Sequence, residues 1–325
     1  MCQPRFIRLL SVVLVCLLVG CSKPAAERTY RIGLGPWVGF GPLYLAQEKG
    51  FFQQQGLRAD LIVLTGLAER NSALQSNRID ALAAPVDSFV LAAGNGIGVK
   101  IVMAIDESNG GDGIVAKKSI KTFADLRGKR VAFQRGLPSE FFLRAMLQQN
   151  HMSLSDLNSV DMETSQAGAA FVTGQLDAAG LWEPWLSRAA KEGNGYVLAS
   201  SKEFPNLIVD CLAFTDAVVA QHPEDAQKIV NVVLQAIGYW KSHPDESNKI
   251  MAPHFQVAQA IYAATLSGAR FCDLARNREY FGSGTSGPIF QVAQRASQIW
   301  LDAKVIRQPV DPSQVVTSKF VQEAH

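Results

Sequence analysis

The sequence predicts an α/β fold in which two lobes, each a mostly parallel sheet flanked by helices, are followed by a helical C-terminal segment. Three observations carry this. Short apolar strands alternate with helices from Arg28 onward; the rhythm breaks after Ile105 and restarts at Phe123; and after Pro223 it gives way to long helices.

Tyr30–Leu34 reads as the first strand, Pro36–Gly41 as a turn-rich loop, and Leu43–Lys49 as a helix that Gly50 stops. A strand at Leu57–Leu64, a helix at Leu67–Ser76, a strand at Ile79–Ala83 and a helix at Pro85–Ala93 follow. The β-branched run Val99–Ile105 reads as a buried strand. The second series runs from a helical turn at Phe123–Leu126 through strands at Arg130–Phe133, Val160–Met162, Ala178–Leu181 and Tyr196–Ala199. Helices at Pro138–Gln149, Ala167–Thr173 and Trp185–Lys191 lie between them. Pro223 and Pro244 each open a helix, with acids in the first turn, and helices of about twenty residues are expected from there to Trp300. The stretches Ile105–Val115 and Asn206–Phe214 are the two candidate crossings between lobes.

The N-terminus decides the compartment. Arg5 and Arg8 precede the apolar run Leu9–Val19, which ends in Gly20-Cys21. That is a signal segment over residues 1–20, too short to span a bilayer as a stable helix. A cysteine at the cut looks like a bacterial lipobox, with Cys21 as the lipidated new N-terminus; the alternative is an ordinary cleaved signal with a chance cysteine. Residues 21–29 then form a lipidated tether. Loss of Arg5 and Arg8 takes the formal charge from +2 to 0, which argues against nucleic acid as a partner. Of the five cysteines, Cys211 and Cys272 remain to pair or stay free.

Motifs for chemistry are weak. Gly282-Ser283-Gly284-Thr285-Ser286-Gly287 matches a dinucleotide fingerprint, but no strand precedes it. His151, His222, His243 and His254 share no metal-ligand spacing, so neither a metal nor a cofactor is expected.

Several segments carry a family resemblance: Gly39-Phe40-Gly41-Pro42-Leu43-Tyr44-Leu45-Ala46-Gln47-Glu48-Lys49-Gly50-Phe51-Phe52 with Gly56-Leu57, Asp80-Ala81-Leu82-Ala83, Phe123-Ala124-Asp125-Leu126-Arg127-Gly128-Lys129-Arg130-Val131-Ala132, and Gly174-Gln175-Leu176-Asp177-Ala178-Ala179 leading into Trp182-Glu183-Pro184. The chain resembles the substrate-binding components of ABC importers in the nitrate, sulfonate, taurine and thiamine-precursor group. The resemblance implies a two-lobed periplasmic-binding-protein fold of type II, with ligand held in the cleft by hinge closure. It divides the chain into a discontinuous first lobe, residues 30–108 plus 212–325, and a second lobe, residues 109–211. It also implies an ABC permease and its ATPase as partners, and a monomer is expected; the signal segment and Cys21 add a membrane contact by lipid anchor only and a periplasmic or cell-surface location.

Candidate ligand contacts are the residues after strand ends, where α/β sheets hold ligands. Trp37, Gly39 and Phe40 lie in the first such loop. There glycine admits close backbone approach and the aromatics offer flat faces. Trp182 and Glu183 follow a later strand; Glu183 either complements the helix that Pro184 opens or faces the cleft, and Trp185 packs on the sheet. Asp87 either caps a helix or meets ligand. Asp106 and Asn109 lie at one crossing and Asp210 at the other, where it contacts ligand or forms a hinge ion pair. Arg135, before the helix that Pro138 and Ser139 open, is the anion candidate, and Ser139 is a further ligand-contact candidate. The loops hold Asp87, Asp106, Glu107, Asp112, Glu183 and Asp210 against Arg135. That imbalance favours a ligand with amine, amidine or heterocyclic N–H groups. The expected function is capture of a small polar molecule for import, not catalysis. The rivals are a sensory ligand-binding module and a pyrimidine-synthase-like enzyme on the same fold.

Overall fold

The structure is a computed structural model and describes residues 27–325. The expected signal segment and Cys21 lie outside the described residues. The chain builds two sheets. The first contains β1 (Arg28–Leu34), β2 (Leu57–Val63), β3 (Ala81–Pro85), β4 (Val99–Ser108), β10 (Val209–Thr215) and β11 (Ala269–Phe271), in the order β11-β4-β10-β3-β1-β2. The second contains β5 (Asp112–Lys117), β6 (Arg130–Phe133), β7 (Asn158–Asp161), β8 (Ala178–Trp182) and β9 (Gly195–Ser200), in the order β7-β6-β8-β5-β9. Each sheet with its helices is one lobe, and the chain passes between them at Ser108–Asp112 and Ser200–Val209.

The expected parallel rhythm holds for β1, β2 and β3 and for β6, β7 and β8. Both predicted crossings correct it, because each feeds a strand into the middle of a sheet. β10 pairs antiparallel with β3 and β4, and β5 pairs antiparallel with β8 and β9. Val209, Asp210 and Cys211, expected in the second lobe, therefore stand in the first sheet. β4 also runs three residues past Ile105, through Asp106-Glu107-Ser108, with β10 on one side and β11 on the other. Acidic residues are poor strand formers; here two neighbours satisfy their backbone groups and override propensity.

Helix ends follow local chemistry. Pro223 and Pro244 occupy first turns entered through His222 and His243. The tail is more broken than expected: Pro223–Ser242 is twenty residues long, but the helices after it are shorter. Pro288–Asp302 packs on Val86–Gly94, and its Trp300, fully buried, donates from Nε1 to the Asp87 carbonyl at 3.0 Å. The ring of Trp300 also lies 5.5 Å from that of Phe141 in the second lobe, so one apolar core runs through both lobes. A smaller core around Ala167, Phe171, Leu181 and Leu186 lies within the second lobe.

Cys211 and Cys272 are free and buried. Cys211 is in register with Ala104 on one side of β4, and the Cys272 N–H bonds the Ile105 carbonyl on the other. Two strand spacings of about 4.8 Å separate them, beyond the roughly 7 Å a disulfide spans between Cα atoms.

Candidate functional site

The two antiparallel strands shape the site. Parallel strands deliver their carboxyl ends to the cleft, and an antiparallel neighbour delivers its first residues to the same edge. Asp210 is the second residue of β10, beside the ends of β3 and β4, and Asp112 opens β5 opposite Trp182 at the end of β8. A narrow cavity of about 30 Å³ lies there, walled by Trp37 and Phe40, Arg70, Asp112, Trp182 and Asp210. Pro36, Pro85, Pro138 and Ile208 complete most of the rest. A broader depression of about 400 Å³, around Gly284, Phe290 and Lys319, lies away from the strand ends.

Trp37 is held by its indole N–H, 3.3 Å from both carboxylate oxygens of the fully buried Asp106. Gly39 admits this pair: a Cβ there would stand 2.2 Å from Trp37 Nε1 and 2.3 Å from Asp106 Oδ2. Phe40 is buried in the cavity wall. Asp106 sits directly across the β4–β10 ladder from Asp210. Burial holds both carboxyls well above the usual range, with Asp112 and Glu107 adding at Asp106 against the Trp37 N–H, and Asp106, Asp112 and Asp87 adding at Asp210. Asp112 is pushed up to about 7 by burial, with the Ser108 hydroxyl opposing and Glu183 adding. Asp87 rises to about 8, chiefly by burial and then through Asp112; its own N–H, Arg70 and the Ser88 N–H oppose the shift. It caps no helix by its side chain, and neither of its carboxylate oxygens has a hydrogen-bond partner.

Other sequence candidates stand elsewhere. Arg135 is exposed, 3.5 Å from Asp161 at the end of the neighbouring β7, and does not reach the cavity wall. Ser139 is buried, but its hydroxyl accepts the Gln134 N–H at 3.0 Å inside the helix-entry turn. Glu183 takes the helix role: it accepts the Ser187 N–H at 3.2 Å and the Ser187 hydroxyl. The Asn109 backbone bonds the Gly268 carbonyl, and its side chain is not in the cavity wall. Glu107 turns away, accepting from the Asn206 N–H at 2.8 Å and from Arg276. Among the described residues no group of His, Cys, Asp and Glu is arranged to hold a metal ion.

Sequence reasoning missed Arg70. It is buried, its Nε donates to the Leu64 carbonyl at 3.1 Å, and burial pushes it down to about 10 against the pull of Asp210, Asp87 and Glu69. Gly35 makes room for it, since a Cβ there would lie 2.5 Å from Nη2.

The lobes meet at the cavity mouth. Gln134 Nε2 donates to the Thr65 carbonyl at 2.9 Å, and Leu67 packs against Gly136 so closely that a Cβ would stand 2.2 Å from its Cδ2. Gly136 also has φ +70°, where a side chain is strained. Gly136→Ala is therefore expected to hinder closure and weaken ligand binding about tenfold, while leaving the cavity wall intact. Titration calorimetry with a ligand found by screening, paired with small-angle scattering, reads both effects; an unchanged affinity at an unchanged radius of gyration would remove the latch role.

A family model described as NMT1/THI5 like matches residues 37–247. The chain belongs to the NMT1/THI5-like family. A protein of Brucella abortus (strain 2308), provisionally named a binding protein, is 30% identical over 235 residues, 71% of this chain and 72% of its own. Among solved structures, the alkanesulfonate-binding protein SsuA from Xanthomonas axonopodis pv. citri, bound to MOPS, matches with TM-score 0.75 at 21% identity, over 90% of this chain and 100% of that one. The periplasmic nitrate-binding protein NrtA from Synechocystis PCC 6803 matches with TM-score 0.71 at 17% identity, over 91% and 88%. The two solved structures share the two-lobed fold of this chain. No helix among the described residues is long and apolar enough to cross a membrane.

Proposed function

We propose that the protein is the extracytoplasmic solute-binding component of an ABC importer. It captures a small polar molecule between its lobes and passes it to a permease driven by an ATPase. The observation that carries this is the cavity between two sheets at their strand ends, with two tryptophans and buried charge in its wall. Two strand crossings and a latch across the mouth suit opening and closing rather than a fixed reaction site. The names of the relatives, sulfonate-binding and nitrate-binding proteins among them, support binding over catalysis.

The cavity wall favours a ligand that brings N–H donors or positive charge. Asp112 and Asp210 are in the wall, and Asp106 and Asp87 lie close enough to act on Asp210. A bare sulfonate or nitrate would meet carboxylates, whereas an ammonium is stabilised by them and by the faces of Trp37 and Trp182, each worth about 0.5–2 kcal/mol to a cation. Arg5, Arg8 and the Gly20-Cys21 step support anchoring by lipid at Cys21.

A thermal-shift screen of the purified mature protein tests the reading. Amines or amino-substituted heterocycles are expected to raise the melting temperature, because a ligand at a hundredfold excess over Kd stabilises by about 2.7 kcal/mol. Stabilisation by nitrate and simple alkanesulfonates, with no response to any amine, would overturn the ligand assignment.

A further inference from the structure

The first crossing is bonded to both lobes, and its bonds change sides at one peptide link. The Ser108 N–H donates to the Ile208 carbonyl at 3.0 Å and the Asn109 N–H to the Gly268 carbonyl at 2.8 Å. Ile208 leads into β10 and Gly268 into β11, both in the first sheet. From Gly110 onward the partners belong to the second lobe. The Gly110 N–H donates to Ser201 Oγ at 2.8 Å, the Asp112 N–H donates to the same oxygen at 3.3 Å, and the Gly111 carbonyl accepts the Glu183 N–H at 2.8 Å. Ser201 directly follows β9, whose last residue Ser200 pairs with Gly113. The boundary therefore falls between Asn109 and Gly110.

The two glycines at this boundary serve different ends. Gly110 has φ +98°, a conformation that side chains rarely adopt, yet a Cβ there would stand 3.7 Å from Lys202 Cβ, an ordinary contact. Gly111 is needed for space: a Cβ would stand 2.5 Å from the tip of the Trp37 indole and 2.8 Å from the Gly268 carbonyl oxygen. Trp37 of the cavity wall thus packs against the residue next to the boundary. The Ser201 hydroxyl, only 1% exposed, lies 2.8 Å from that of Ser108, the last residue of β4. A hydroxyl carries two lone pairs and one hydrogen. Two N–H groups occupy the Ser201 lone pairs, so its hydrogen goes to Ser108. The Ser108 hydrogen is then left for the Asp112 carboxyl, whose upward shift it opposes.

We propose that the first crossing turns at Gly110 and that the Ser201 hydroxyl is the pin of this pivot, a positioning group that holds Gly110 and Asp112 to the second lobe and, through Ser108, fastens them to the end of β4 in the closed form. This deepens the solute-binding reading and rests on it. Two contacts cross the pivot, the Ser108–Ser201 hydroxyl pair and the Trp37 indole on Gly111, and both reach the cavity wall, one by way of Asp112. A solute seated against Trp37 and Asp112 therefore acts on the pivot directly, and its differential contact with the two forms sets how far closure is favoured.

Amide hydrogen exchange resolved by residue in NMR spectra of the purified, ligand-free protein tests this, because protection reports local opening. Ser201→Ala is expected to speed exchange at Gly110 and Asp112 tenfold or more while Ser108 and Asn109, bonded within the first lobe, keep their wild-type rates. Ser201→Thr, which retains the hydroxyl, is expected to restore protection at both. Ser108→Ala removes only the bond across the pivot, so Gly110 and Asp112 should stay protected while small-angle scattering shows a larger radius of gyration. Gly110→Ala, which meets no clash but cannot easily hold φ +98°, should enlarge the radius likewise. Acceleration shared equally by Ser108 and Asn109, or absent at Gly110 and Asp112, overturns the proposal. If Ser201→Ala does not fold, the other two variants decide, and a wild-type radius in both overturns it. None of these readouts needs a ligand, so a failed pivot leaves solute capture standing, and a failed solute screen leaves the pivot standing.

Discussion

Trp300→Ala is expected to destabilise the protein by about 3–5 kcal/mol, the usual cost of removing a buried aromatic side chain. The residue is fully buried, its indole N–H holds the Asp87 carbonyl at 3.0 Å, and its ring lies 5.5 Å from that of Phe141 across the lobe boundary. The substitution therefore opens a cavity, leaves a carbonyl unpaired and loosens the helix turn that carries Asp87. Trp300→Phe keeps most of the volume and loses only the donor, so its cost is expected to be about 1–3 kcal/mol. Urea titration with two probes measures both. A loss below about 1 kcal/mol for Trp300→Ala would show that this contact does not tie the C-terminal helix to the site.

Asp210→Asn is expected to move stability and binding in opposite directions. Burial, Asp106, Asp112 and Asp87 raise the Asp210 pKa in the folded protein, with only Arg70 opposing. A carboxyl raised in this way holds its proton more tightly when folded than when unfolded. Its contribution is complete below the unfolded value of about 3.9 and is lost as pH rises through the folded value, which for Asp112 is about 7 and for Asp87 about 8. Asp177, Glu203 and Asp273 are shifted downward, so they act at the acid end, outside this window. The ligand-free wild type should therefore melt at a lower temperature at pH 8 than at pH 5, by roughly 2–4 °C for each kcal/mol lost. Asp210→Asn removes one member of the repelling set, so it should melt above the wild type at pH 8 and lose less between the two pH values. It should also bind an ammonium-bearing ligand at least tenfold more weakly. A wild-type melting temperature that is flat or rises from pH 5 to pH 8 would contradict the buried-carboxylate account, as would full binding by the variant.

Trp37 and Trp182, singled out in the sequence from the loops at strand ends, both stand in the cavity wall, Trp37 three residues past β1 and Trp182 as the last residue of β8. The apolar run Leu207–Phe214 carried a strand signal as well, but its place between two parallel strands was not local information. Arg135 and Arg70 mark where sequence reasoning reverses. Arg135 stands near a helix entrance, yet the adjacent parallel strand β7 ends in Asp161, which draws it to the surface. Arg70 lies between Glu69 and Asn71 in a polar helix that reads as a solvated face. Its burial follows from the cleft, where the Gln134–Gly136 turn of the other lobe meets Thr65 and Leu67 beside it. Glu183 shows the same limit: a carboxylate ahead of a helix and a carboxylate in a cleft look alike in sequence, and only Ser187 within reach separates them.

By itself the sequence determined the alternation of strands and helices, the two-lobed class, the helix entrances at Pro138, Pro223 and Pro244, and the aromatic loops at the strand ends. Each of these depends on periodicity, turn residues and caps that act within a few residues of chain. Tertiary structure alone decided that the crossings become central antiparallel strands and that Asp106 faces Asp210. It alone also decided that Arg70 is buried and Arg135 exposed, because strand pairing and the meeting of two lobes join residues far apart in the chain, and no local pattern records which partner each will find.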